Sequence, residues 1–139
     1  MRIFVTGASG WIGSAVIPEL ITHGHDVIGL ARSDAAAARV TDSGAAVLRG
    51  DIQDIDMLRA GAQQADGVVH LAFRHDIAWT GRFADAAASD RAAIELFGEV
   101  LAGSDRPLAI ASGVAGLRPG RDRHRARYAG RPGEPARRV

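Results

Sequence analysis

Neither cysteine nor lysine occurs anywhere in the 139-residue chain. Without cysteine there is no disulfide, no thiolate metal site and no cysteine nucleophile. Without lysine, no step that needs an ammonium side chain can be run by these residues. Aromatic residues are sparse at 5%, and the single tyrosine is Tyr128. No apolar run reaches the roughly 20 residues that span a bilayer. The first residues read as a strand and not as a signal peptide. A cytoplasmic protein without membrane attachment is the expectation.

What is present suits a globular α/β chain. Apolar residues make up 47% of the sequence, enough for a buried core in one domain. The net charge of +1 hides an uneven distribution: all 17 basic residues are arginine, and eight of them lie from Arg118 onward. The part before Arg118 is therefore net acidic.

The most informative stretch is Arg2-Ile3-Phe4-Val5-Thr6-Gly7-Ala8-Ser9-Gly10-Trp11-Ile12-Gly13. Ile3, Phe4 and Val5 form the short apolar run of a strand covered on both faces. Glycines follow at intervals of three, and then a helical stretch reaches Ile21. A strand that turns at once into a helix aims free N–H groups at one point, where the helix dipole favours an anion. Gly7 allows the tight turn, Gly10 a close approach by phosphate, and Gly13 close packing of the helix. Thr6 and Ser9 can brace the turn through their hydroxyls.

His23-Gly24-His25 reads as a helix end with Gly24 in the left-handed position. Two histidines with no third ligand nearby suit capping and surface roles better than a metal, and no metal site is expected. Asp26 to Arg32 is a second strand. NAD-binding units often place an acidic residue after it to hold the adenosine ribose. Here Arg32 and Ser33 stand instead, a guanidinium and a hydroxyl suited to a 2′-phosphate. NADP is therefore expected ahead of NAD, with Asp34 as a candidate cap for the next helix. The bland alternative for Arg32 is a solvated charge at a strand end.

Ala45 to Arg49 is a third strand, Asp54 a cap for a helix over 55–64, and Asp66 to Ala72 a fourth strand. His70, inside that strand, reads as a neutral hydrogen-bonded core residue ahead of an acid/base. Arg74 to Gly81 reads as a loop in which Arg74, His75, Asp76 and Trp79 can reach a substrate; a solvated loop with one anchoring aromatic is about as well supported. A long helix over 82–102 carries a stripe of Phe83, Ala86, Ala87, Ile94, Phe97 and Leu101. Leu108 to Ser112 is a fifth strand. Strands joined by helical segments imply right-handed parallel crossovers and so a doubly wound parallel sheet of about five strands; the order 3-2-1-4-5 is expected.

The N-terminal Thr6-Gly7-x-x-Gly10-x-x-Gly13 resembles the cofactor loop of the short-chain dehydrogenase/reductase superfamily, in its extended and atypical NAD-dependent epimerase/dehydratase branch. That resemblance covers about residues 1–117 and implies a Rossmann-type domain that binds a nicotinamide dinucleotide. It implies that Thr6, Gly7, Ser9, Gly10, Trp11, Ile12 and Gly13 form the pyrophosphate turn. It further implies that Asp51 and Ile52 meet the adenine, and that Leu71, Ala72 and Phe73 line the cofactor beyond it. A turn role for Asp51 is about as well supported by motif alone. In such a family the long helix can also join a homodimer interface.

Members of this family carry a serine after the fifth strand and a Tyr-x-x-x-Lys pair that moves the proton accompanying hydride transfer. Ser112 is the one candidate for the serine, and its alternative is a strand-end backbone role. Tyr128 is followed four positions later by Pro132, so the pair is absent.

Residues 118–139 hold clusters such as Arg131-Pro132-Gly133-Glu134-Pro135 and little apolar periodicity. They are expected to be a basic, disordered tail. The break suggests a shortened reductase in which the C-terminal part of the fold is missing, Leu108 and Ile110 are exposed, and the protein is prone to associate. Three functions are open: a nicotinamide-dependent oxidoreductase or epimerase on a small substrate of unknown identity, a non-catalytic dinucleotide-binding regulator, and, least supported, a nucleic-acid binder acting through the tail.

Overall fold

A computed structural model of the chain describes residues 1–113. Tyr128, the basic tail and the expected boundary at 117/118 lie outside the described residues. The elements run β1 (Arg2–Thr6), α1 (Trp11–Thr22), β2 (Asp26–Ala31), α2 (Asp34–Asp42), β3 (Ala46–Arg49), α3 (Ile55–Gln63), β4 (Gly67–His70), α4 (His75–Ala78), α5 (Phe83–Leu101) and β5 (Leu108–Ile110). Every strand pairing is parallel and the order is β3-β2-β1-β4-β5. This is the Rossmann-type arrangement expected from the sequence.

Alternation along β1 splits the core in two. Phe4 points to one face, where it packs with Leu58, Ala62, Leu96 and Phe97 from α3 and α5. Ile3 and Val5 point to the other, against Ile17 of α1 and Val40 of α2. A strand buried on both faces explains why its sequence is an unbroken apolar run.

The helix ends follow their sequence signals closely. Gly24 takes φ +79° after α1. Its N–H donates to the Ile21 carbonyl at 2.9 Å, and that of His25 to the Leu20 carbonyl at 3.0 Å, a Schellman ending. Asp54 caps α3 by accepting from the Met57 N–H at 3.2 Å. For α2, Ser33 is the cap, accepting from the Ala36 N–H at 3.2 Å. Asp34 stands in the first turn and pairs with Arg49 at 2.7 Å, which corrects the expectation for that residue.

Two further expectations are revised. Residues 74–81 are not all loop, because His75–Ala78 form one helical turn. On α5 the buried residues are Ala86, Ala93, Leu96, Phe97 and Leu101. Phe83 is exposed and lies tilted against Phe73, beyond β4, with ring centroids 5.8 Å apart. At the sheet edge, Ile110 is exposed while Leu108 is half-buried against the core. Among the described residues, no helix is long and apolar enough to cross a membrane.

Candidate functional site

The carboxyl ends of β1, β2, β3 and β4 open onto one cleft of about 430 Å³, a volume in the range of small-ligand sites. Its floor is the turn between β1 and α1. Gly7 has φ +66°, and a Cβ there would lie 2.7 Å from the backbone of Leu71 and Ala72. A Cβ on Gly13 would lie 2.4 Å from the carbonyl oxygens of Gly7 and Ala8. Gly10 is less confined, with only the Gly7 oxygen at 3.1 Å. The first and third glycines are therefore required by space, and the middle one leaves the turn open to the cleft.

No side chain caps α1: its N-cap is Gly10 in extended conformation, and its first turn holds no acidic residue. Helices α2 and α3 by contrast carry their own caps, Ser33 and Asp54. The uncapped start of α1 leaves N–H donors and the positive end of its dipole turned toward the cleft.

Of the residues singled out in the sequence, Gly7, Ser9, Gly10, Trp11, Ile12 and Gly13 line the cleft from the turn. Arg32, Asp51 and Ile52 line its far end, and Leu71, Ala72 and Phe73 its near wall. Ile52 is itself buried, so its side chain serves the core. Asp51 accepts from the Gln53 N–H at 3.1 Å, a turn role held alongside its place in the cleft. Thr6, Ser33 and Ser112 are not among the lining residues. Thr6 is fully buried beneath the turn, Ser33 is committed to capping α2, and Ser112 is exposed just past β5.

Thr6 belongs instead to a buried relay. Its Oγ1 accepts from the N–H groups of Leu71 at 3.2 Å and Ala72 at 3.3 Å. The hydroxyl proton is then free to point at His70 Nδ1, 2.6 Å away, which makes Nδ1 the acceptor. His70 Nε2–H in turn donates to Asp90 Oδ1 at 3.1 Å. His70 is thus a neutral core histidine that ties the turn to α5, as expected. Desolvation lowers its pKa below 6.5, against the opposing pull of Asp90. Between that lowered value and 6.5 the unfolded chain binds the proton and the folded one does not. Stability from this residue is complete above pH 6.5 and declines as the pH falls below it. Chemical denaturation from pH 7.5 to 5.5 should show this loss, and His70→Asn, whose amide oxygen can still accept from Thr6, should flatten it. Identical slopes in the two proteins would count against the assignment.

Sequence spacing singled out Arg74 and Asp76 but did not reveal the charged cluster they form with Arg32 at the far end of the cleft. Arg74 Nε donates to Asp76 Oδ1 at 3.0 Å and Nη2 to Oδ2 at 3.1 Å. Arg74 also donates to Gln53 Oε1, and its Nη1 lies 3.7 Å from Asp51. Arg32 Nη1 reaches Asp76 Oδ2 at 3.2 Å. The bond from Arg74, aided by Arg32, holds the Asp76 carboxyl well below the usual carboxylate range. His75 also lines the cleft, whereas Trp79 stands outside it, exposed, its indole N–H donating to His75 Nδ1 at 3.2 Å.

Comparison with known proteins gives the chain's family and fold. The chain is 48% identical over 121 residues to the uncharacterized protein YLL056C of Saccharomyces cerevisiae, covering 86% of this chain and 40% of that one. It is 44% identical over 117 residues to the uncharacterized protein C2A9.02 of Schizosaccharomyces pombe, covering 84% and 39%. The chain thus spans about 40% of the length of these curated relatives. The fold matches the crystal structure of UDP-glucose 4-epimerase from Bifidobacterium longum in complex with NAD+ and UDP, with TM-score 0.62 and 23% identity over 82% of this chain and 37% of that one. The family model for the NAD dependent epimerase/dehydratase family matches residues 3–96. With two thirds of its length so matched, the chain belongs to the NAD dependent epimerase/dehydratase family.

Proposed function

We propose that this chain is the dinucleotide-binding part of an NAD(P)-dependent oxidoreductase or epimerase, with NADP preferred. The observation that carries this reading is the uncapped, glycine-walled start of α1 at the floor of the cleft. A diphosphate there would accept N–H hydrogen bonds of the kind that the first turns of α2 and α3 donate to their own capping side chains, Ser33 and Asp54. Asp51 and the Ile52 backbone would meet the adenine, and Arg32 the 2′-phosphate, with the Ser33 hydroxyl beside it. Leu71, Ala72 and Phe73 would form the apolar wall toward the nicotinamide. Thr6 would contribute from below, by fixing the turn against β4. A bound nicotinamide would supply hydride chemistry, and Ser112, past β5, is the candidate to hold a substrate oxygen.

A second reading, a non-catalytic dinucleotide-binding regulator, is favoured by one feature. These residues contain no lysine, and Tyr128 lacks a basic partner four positions on. NADPH-dependent carbonyl reduction separates the two.

Gly10→Asp tests dinucleotide binding itself. Asp is a favoured N-cap, so the variant fills the start of α1 with its own carboxylate and should remain folded. The same carboxylate repels a pyrophosphate. Fluorescence titration should show NADPH and NADH binding by the wild type and a loss of about 100-fold or more in the variant, the loss of several charge-assisted bonds. Equal binding by the two proteins, or no binding by the wild type, would overturn the proposal.

A further inference from the structure

Asp76 is a carboxylate lodged between two guanidinium groups at the edge of the cleft. It takes hydrogen bonds from Arg32, at the end of β2, and from Arg74, past β4. Arg74 is the fixed member, its side chain 17% exposed and held also by Gln53 and Asp51. Asp76 is the more exposed one, at 42%, carried on α4, a four-residue helix with no buried residue.

Together Arg32, Arg74, Asp51 and Asp76 sum to zero charge. A phosphate monoester arriving at Arg32 therefore meets a neutral group in which a carboxylate already holds the donors it needs. A ribose hydroxyl arriving there displaces nothing.

We propose that Asp76 is a specificity-determining residue, an internal anion that occupies the place of the 2′-phosphate between Arg32 and Arg74. NADP must displace the Asp76 carboxylate from the two guanidinium groups, and then gains two guanidinium partners instead of one. NAD leaves it seated. The ranking of the two cofactors is thus set by Asp76 as well as by Arg32. This inference rests on the dinucleotide reading above.

The test compares wild type, Asp76→Asn and the charge control Asp85→Asn, titrated with NADPH and NADH. Asp85 pairs with Arg82 at 2.7 Å and does not line the cleft. Asp76→Asn should bind NADPH about tenfold more tightly, a modest gain because the pair is exposed and screened. NADH affinity should stay within about twofold, and the control should change neither. Adenosine 2′,5′-bisphosphate and adenosine 5′-monophosphate, which differ only in the 2′-phosphate, should repeat the pattern. An unchanged or weakened NADPH affinity in Asp76→Asn, or an equal gain for NADH, would overturn the inference while leaving dinucleotide binding intact. Failure of the wild type and of both variants to bind either cofactor would sink the parent reading along with it.

Discussion

Gly13→Ala will lower stability by roughly 3 kcal/mol or more and remove dinucleotide binding. The added methyl group would sit 2.4 Å from two carbonyl oxygens, those of Gly7 and Ala8. Both belong to the backbone of the turn and cannot rotate aside. Helix α1 must retreat, or the turn must open. Opening is resisted in its own right, because Gly7 is wedged against the backbone of Leu71 and Ala72. Either movement spoils the convergence of N–H groups on the cleft. The matched control is Gly98→Ala on α5, where a Cβ meets nothing within 4 Å and alanine is the better helix former. Thermal melting and NADPH titration on both variants check this. A Gly13→Ala protein that melts and binds like the wild type would contradict the packing.

Phe97→Ala is expected to cost about 3–5 kcal/mol, the usual range for deleting a buried aromatic ring. Phe97 is fully buried. Its ring meets Phe4 edge-on, with centroids 6.2 Å apart, and His70 at 5.4 Å. It therefore joins α5 to both the central strand and the buried relay. Its loss should loosen Asp90 from His70 and weaken cofactor binding indirectly. Urea denaturation should separate it clearly from Phe83→Ala, since Phe83 is 64% exposed and its removal should cost within about 1 kcal/mol. Similar losses in the two variants would show that burial does not govern the difference.

The features legible in the sequence are the local ones. The β1 turn, the Gly24 ending and the Asp54 cap each depend on residues within a few positions of one another, so spacing alone exposed them. Parallel pairing followed from the helical segment between each pair of strands, and the order 3-2-1-4-5 from the resemblance carried by the glycine turn. The features that were hidden depend on distant partners. Thr6 and His70 stand 64 positions apart, and Arg32 finds Asp76 44 positions along. No periodicity marks α4, because a single turn without buried side chains leaves no apolar pattern. Asp34 and Ser33 are both good caps, and Arg49, 15 positions away, claims the former. The stripe on α5 was read correctly at Ala86, Phe97 and Leu101. It failed at Phe83, where the helix starts against Phe73 and not on the sheet.

The tie between Thr6 and the Leu71–Ala72 backbone carries a consequence for biosynthesis. The glycine turn follows the first strand, yet the threonine beneath it is held by amides translated more than sixty codons later. A nascent polypeptide emerging from the ribosome therefore carries a slack loop until the β4 segment has cleared the exit tunnel and docked. The bracing of the turn is thus a long-range contact, which closes only when the β1 and β4 segments have come together.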